Sequence, residues 1–241
     1  MTSENPLTGV TALMFDFYGT VVDMQSGLTE AIRPYLHAKG STLEPGRVVT
    51  WWRRTHFEAS MIDALLQREH TPYRQIGEQA VDYTLERAGI SHTAEEVAAL
   101  VGAIERLSPF PDVLATLARL KARGLQLVIL SNGDPDMLER GVAFSGTAHL
   151  FDRVISVAEA DAFKPHVATY RTACALLGLE AVQVLFVANH AFDCVGAKAF
   201  GMRTAFVDRR RRPFGNATYP PDLVVRNFQE LGNILTADGG A

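Results

Sequence analysis

Five short, uninterrupted apolar runs restrict what this chain can fold into: Ala12–Phe15, Leu125–Leu130, Val154–Val157, Val184–Val187 and Thr204–Val207. A strand with one wet face alternates apolar and polar residues. A continuous apolar strand has to be covered on both faces, which is the situation of a parallel sheet. Stretches of helical periodicity separate the later runs, Val113–Arg123 before Gly124 and Val167–Leu177 before Gly178. Each is followed by a glycine of the kind that ends a helix. Such alternation predicts an α/β fold, a doubly wound, Rossmann-like parallel sheet with right-handed crossovers.

The interval between the first two runs reads differently. Residues 25–107 show no convincing strand, but Trp51, Trp52, Thr55, Phe57, Ala59, Met61 and Ile62 recur at helical spacing. They predict a helical cap domain inserted after the first strand, with the α/β core made of residues 1–24 and 108–241. Pro109 and Pro111 mark the return to the core. Ligands of an open α/β sheet bind at the carboxyl ends of its strands, so a helical unit placed there would cover a site and exclude water from it.

Composition narrows the setting. Hydrophobic residues make up 47% of the 241 positions, ordinary for a globular protein, and no run approaches the roughly 20 apolar residues of a membrane span. The opening MTSENPLTG lacks the basic and apolar regions of a secretion signal. Cys174 and Cys194 sit in apolar stretches, as buried free thiols do, and two cysteines build no disulfide framework. These features place the chain in a reducing cytoplasm, away from membranes. A formal charge of −4 argues against general nucleic-acid binding. The basic cluster Arg209–Arg212 reads most simply as a solvated loop.

Four predicted strand ends carry polar residues. Asp16 leaves the first strand in DFYGT, with Gly19 allowing a tight turn around whatever the carboxylate attacks. Ser131-Asn132-Gly133 follows the second, offering a hydroxyl, an amide and backbone N–H groups to an anion. Lys164 stands between Phe163 and Pro165, and Asn189-His190-Ala191-Phe192-Asp193 follows the fourth run. Any one of these is commonplace: an Asp after a strand is usually a turn residue, and a lone His is usually structural. Their conjunction on one edge of one sheet points to a site.

The order DFYGT, SNG, KP and the segment ending in Asp193 resembles the haloacid dehalogenase superfamily. The DxYGT form, the Trp52-Arg53 pair and FKPHVATY resemble its type II L-2-haloacid dehalogenase branch more narrowly, over nearly the whole chain. The resemblance implies that Asp16 is a nucleophile, and that Thr20, Lys164 and Asp193 orient it and a hydrolytic water. It implies that Ser131, with the backbone amides of Asn132 and Phe17, holds the carboxylate of a small 2-haloacid. Arg53 would receive the departing halide. Tyr18, Phe57, Tyr73 and Phe192 would line the apolar part of the pocket, and Tyr170 would support Lys164 from behind. Dimerisation through the helical unit is implied by resemblance alone.

The chemistry suits these residue types. A carboxylate that attacks carbon gives an ester that water then cleaves, splitting one difficult step into two easier ones. Lys164 would keep Asp16 ionised, and a guanidinium suits a leaving anion because it does not lose its proton. Asp193 would draw a proton from the water of the second step. No metal ion or other cofactor is expected, because Tyr18 stands where related phosphatases carry a second, Mg²⁺-binding Asp. His190 stands where the dehalogenases carry an Asn, and a titratable ring there suits proton transfer or a different leaving group. The rivals are ring opening of a strained cyclic amino acid such as azetidine-2-carboxylate, a Mg²⁺-dependent phosphatase, and a silent binding protein.

Overall fold

The apolar runs become β1 (Ala12–Phe15), β2 (Gln126–Ser131), β3 (Arg153–Ser156), β4 (Val184–Ala188) and β5 (Arg203–Val207) in the computed structural model, which describes residues 7–66, 69–215 and 218–237. Residues 1–6 and 238–241, the ends of the two expected core segments, lie outside the described residues. Six boundaries move by one residue. Leu125 precedes β2, and Val157 opens a 3-10 turn over Val157–Ala160, where the Ser156 hydroxyl accepts from the Ala158 N–H. A further strand, β6 (Leu223–Val225), carries no apolar run; it is three residues long at the sheet edge, with Val224 60% exposed. Every neighbouring pair is parallel, in the order β3-β2-β1-β4-β5-β6. The four residues of β1 are fully buried in the centre.

The chain moves outward from β1 to β2 and β3, then returns to the other side of β1 for β4. The point where strand order reverses therefore lies between β1 and β4, and such a crevice is where doubly wound sheets bind ligands.

Helices α1 (Met24–Ala38), α2 (Pro45–Leu65), α3 (Tyr73–Arg87) and α4 (Ala94–Val101) lie between β1 and α5 (Val113–Lys121). Leu28, Ile32 and Leu36 recur one helical turn apart on α1, and all three are buried in one cluster with Val48, Val49 and Trp52 of α2. Burial of each such side chain contributes about 1.5–3 kcal/mol. Starts are marked locally: the Glu44 carboxylate accepts from the Gly46 and Arg47 N–H groups, and Thr93 with Glu96 forms a capping box on α4. The rest of the chain supplies α6 (Pro135–Phe144), α7 (Val167–Leu177), α8 (Ala191–Phe200) and α9 (Phe228–Ala237). α7 ends on Gly178 in the left-handed conformation, whereas α5 stops at Lys121, two residues short of the expected Arg123.

Two linkers carry the chain out to α1 and back, side by side. The Asp23 N–H donates to the Ser108 carbonyl and the Phe110 N–H to that of Val21. A second tie comes from the loop after β2. Asp134 precedes α6 but makes no side-chain cap there; its carboxylate accepts instead from the Tyr73 and Arg74 N–H groups at the start of α3. Pro72, in the N-cap position of α3, offers no side-chain bond of its own. Arg74 adds ion pairs to Glu105 and Asp136.

Asp134→Ala should therefore lower the unfolding free energy by about 0.5–2 kcal/mol, the usual worth of a helix cap. Urea denaturation reads this, and an unchanged midpoint would show that the end of α3 does not depend on Asp134.

Candidate active site

Asp16 emerges directly from β1, its N–H donating to the Val187 carbonyl of β4. Its carboxylate meets three donors. Thr20 Oγ1 donates to Oδ2 at 2.7 Å, Lys164 Nζ to Oδ1 at 3.0 Å, and His190 Nδ1 lies 3.1 Å from Oδ2. Lys164 Nζ also donates to Asp193 Oδ2 at 2.7 Å and to the Leu130 carbonyl of β2 at 2.9 Å. Tyr170 closes the network from α7, donating to Asp193 Oδ1 at 2.7 Å. Parts of the chain as far apart as Asp16 and Asp193 meet because β1, β2 and β4 end side by side.

The turn after β1 makes room for this arrangement. Gly19 has φ +86°, and a Cβ there would stand 3.1 Å from the His190 ring and 3.4 Å from the Arg53 guanidinium. Only glycine takes this conformation without strain and lets both side chains lie over the loop.

Charge is distributed unevenly over the network. Burial alone would push Asp16 up, but the Lys164 ammonium, then His190 and Thr20, outweigh it and hold the carboxyl well below the usual carboxylate range. Asp193 goes the other way: burial lifts it, offset only in part by Lys164, and the Asp16 charge adds to the rise. Asp16 has three donors against two for Asp193, so it is the firmer anion. Burial works against the Lys164 charge, yet the two carboxylates more than compensate and raise it.

A cavity of about 850 Å³ opens onto Asp16. Asp16, Tyr18, Arg53, Phe57, Tyr73, Asn132, Lys164, His190 and Phe192 line it, so nine of the residues singled out from the sequence share one space. Phe57 of α2 stacks on Phe192 with ring centroids 4.3 Å apart, and Tyr73 of α3 stacks on Tyr18 at 5.8 Å. The Arg53 guanidinium donates to Gln25 Oε1 at 2.8 Å.

Five others stand behind this wall: Phe17, Thr20, Ser131, Tyr170 and Asp193 are buried and do not line the cavity. The Phe17 ring turns into the core against Gly141, and Ser131 Oγ accepts from the Gly133 N–H. Thr20 acts on Asp16 by hydrogen bond, and Tyr170 reaches Lys164 only through Asp193. Both Asp193 oxygens are engaged by Lys164 and Tyr170, whereas His190, beside Asp16, faces the cavity.

The reading of Arg209–Arg212 as a solvated loop holds for Arg210, Arg211 and Arg212, which are exposed, and needs correction for Arg209. Arg209 Nε donates to the Thr20 carbonyl, Nη1 to both Asp112 oxygens, and the guanidinium lies 3.8 Å from the Phe110 ring centroid. Arg210 and Arg212 line the cavity. A charge run looks alike in sequence whether solvated or clamped. Gln25, Asn189 and His56 were also not picked out for themselves. Asn189 Nδ2 donates to the Gly19 carbonyl and its N–H to Thr20 Oγ1, bracing the nucleophile loop. His56 is buried on α2, stacked on Tyr73 at 4.0 Å, with Nε2 3.2 Å from the Tyr73 carbonyl.

The donor set does not suit Mg²⁺, which takes near-octahedral oxygen ligands with carboxylates among them. Tyr18 replaces the second carboxylate, Asp134 is committed to α3, and Asp136 is paired with Arg74 and Arg140. Among the described residues, no group of three or more His, Cys, Asp or Glu side chains gathers to hold a metal ion.

Comparison with known proteins bears on the family and the fold. The hydrolase family described as haloacid dehalogenase-like hydrolase matches residues 10–201. An (S)-2-haloacid dehalogenase of Pseudomonas sp. strain YL is 30% identical over 234 residues, covering 96% of this chain and 97% of its own. One from Xanthobacter autotrophicus is 37% identical over 203 residues, 83% of this chain and 76% of its own. The solved structure of an L-2-haloacid dehalogenase from Xanthobacter autotrophicus with chloropropionic acid covalently bound superimposes with a TM-score of 0.84 at 32% identity, over 96% of this chain and 100% of that one.

His56 yields a pH prediction. Burial pushes its imidazole down to about 3, so the folded protein keeps it neutral where the unfolded chain protonates it. The unfolded state then binds more protons below about pH 6.5, and stability falls as pH drops. Between about pH 6.5 and 5, above the carboxylate range, this group's slope should approach about 1.4 kcal/mol per pH unit. His56→Gln, which keeps a donor for the Tyr73 carbonyl, should flatten it in urea titrations. Equal slopes in both proteins would mean that His56 is hydrated in the fold.

Proposed function

This chain belongs to the haloacid dehalogenase-like hydrolases, and from that premise we propose that it hydrolyses small 2-haloacids through an ester on Asp16, without a metal ion. The observation that carries the reading is an Asp16 carboxylate held ionised by Lys164 in a cavity that Arg53 also lines, its guanidinium bonded to the neutral Gln25 side chain.

In the first step an Asp16 oxygen attacks C2 of the substrate. A carbon–oxygen bond forms, the carbon–halogen bond breaks, and the halide leaves with the electron pair toward Arg53, whose guanidinium stays charged. The substrate carboxylate sits at the end of β2, near Ser131, Asn132 and the backbone amide of Phe17. Tyr18, Phe57, Tyr73 and Phe192 enclose the carbon chain, and a closed, apolar wall strengthens the charge interactions inside it.

In the second step water attacks the ester carbonyl carbon of Asp16. One of its protons passes to His190 and on to the departing oxygen, giving the hydroxyacid, and the other is released to solvent as the Asp16 carboxylate is restored. Asp193 anchors Lys164 and, with Tyr170, fixes its ammonium. Inversion at C2 follows, because only the first step takes place at that carbon; an L-2-haloacid gives a D-2-hydroxyacid. We assign residues 25–107 to a cap domain over the core formed by 1–24 and 108–241, and the two unpaired, buried thiols Cys174 and Cys194 fit a reducing cytoplasm.

His190 beside the nucleophile favours one second reading. Opening of azetidine-2-carboxylate by Asp16 releases an amine, and His190 would protonate it.

Free chloride and product configuration from (S)-2-chloropropionate, measured with and without EDTA, test the proposal. Chloride release with (R)-lactate as product, changed less than about twofold by chelation, is expected. A loss above about tenfold restored by Mg²⁺ would contradict the metal-free step. Amine release from the azetidine without chloride release from any haloacid would favour the second reading.

A further inference from the structure

We propose that the preferred substrate of this site carries a second anionic group, a carboxylate or a group of like charge, on a short chain beyond the reacting carbon, and that Arg210 receives it. This inference rests on the dehalogenase reading of the Asp16 site and names the substrate class within it.

Size is the first indication. A haloacetate or halopropionate has only a handful of heavy atoms, whereas the cavity of about 850 Å³ lies in the range that encloses drug-sized ligands, roughly 300–1,000 Å³. The space beyond the Phe57–Phe192 pair is not needed for a small haloacid.

Charge is the second. Most cations around the cavity are matched. Lys164 lies between Asp16 and Asp193, Arg209 is clamped on Asp112, and Arg54 pairs with Glu58. The Arg53, Arg210 and Arg212 guanidiniums form no ion pair among the described residues. Arg53 donates only to the Gln25 amide. The remaining acids on the wall look elsewhere: Asp23 accepts from the Ser26 N–H, and Asp208 from the Arg212 N–H. Three guanidiniums thus line one space, Arg210 between the charges of the other two, and burial and then the Arg210 charge bring Arg53 down to about 10. The Asp23 and Asp16 charges act on Arg53 in the other direction and do not offset this, and the surplus of guanidinium fits a ligand with two negative centres. In the dehalogenation the departing halide uses Arg53, which leaves Arg210 for a distal group.

Position is the third. Arg210 is exposed in a loop, but its neighbour Arg209 is bonded to the Thr20 carbonyl and stacked on Phe110, so its backbone is pinned to the turn that presents Asp16. Phe57 and Phe192 supply an apolar wall for the methylenes of the substrate.

Halide release separates the possibilities. The substrates are 2-chlorosuccinate, 2-chloroglutarate and 2-chloroadipate, each beside the monoester that masks its distal carboxylate, with (S)-2-chloropropionate as reference. At least one diacid should exceed its monoester in kcat/KM by about tenfold or more, the range of a charge-assisted contact. The advantage should shrink in 0.5 M NaCl. Arg210→Gln should cut the diacid-to-monoester ratio at least fivefold, Arg210→Lys should keep part of it, and Arg210→Glu should cut it further. Equal or poorer turnover of every diacid, or a ratio unchanged in Arg210→Gln, would overturn the assignment. Halide release from none of the compounds would instead sink the dehalogenase reading. In that event calorimetry with 2-hydroxyglutarate and its distal monoester still decides the contact. Tighter binding of the diacid that Arg210→Gln abolishes supports it, and equal binding refutes it.

Discussion

Lys164 holds its ammonium between the Asp16 and Asp193 carboxylates, with the lysine only 1% exposed. Each ion is costly to bury alone, and the geometry repays that cost only while all three stay in register. Asp16 therefore depends on the end of β1, Lys164 on the segment after β3, and Asp193 on the first turn of α8. The sheet order brings these segments together, and Thr20, Tyr170, Asn189 and the Leu130 carbonyl take up the remaining hydrogen-bonding capacity. The unequal number of donors leaves Asp16 the stronger anion, the property that an attacking carboxylate requires.

The helical segment completes what the sheet begins. Arg53, Phe57 and Tyr73 come from α2 and α3, and they reach the cavity because α3 is tied to the core through Asp134 and the two linkers run side by side. A site split in this way allows its apolar wall and its cation to vary independently of the nucleophile. The large volume and the excess of guanidinium around it are features of that variable part.

Much of this was legible in the sequence, for identifiable reasons. The continuous apolar runs located five strands within a residue or so, because strands buried on both faces leave no polar interruptions. β6 was not legible: three residues at an edge, one of them 60% exposed, carry no such signature. Asp16 and His190 were found as polar residues at strand ends, whereas Lys164, expected at one, lies beyond β3 and the 3-10 turn that follows it. Whether Asp193 or His190 faces the cavity depends on how α8 is rotated, which a string of residues does not specify. Within the charge run, Arg209 was misread for a similar reason. Its carboxylate partner Asp112 and its aromatic shelf Phe110 lie far away in sequence and meet it only in the fold.

The most direct test of the Asp16 ester is the fate of solvent oxygen in a single turnover. With enzyme in excess over (S)-2-chloropropionate in ¹⁸O water, the hydroxyl oxygen of the product comes from the Asp16 carboxylate, and solvent oxygen refills that carboxylate afterwards. Mass spectrometry should find unlabelled lactate and an ¹⁸O label on the peptide containing Asp16. Labelled lactate in the first turnover, with no label on that peptide, would mean that water attacks the substrate directly and that Asp16 is not the nucleophile.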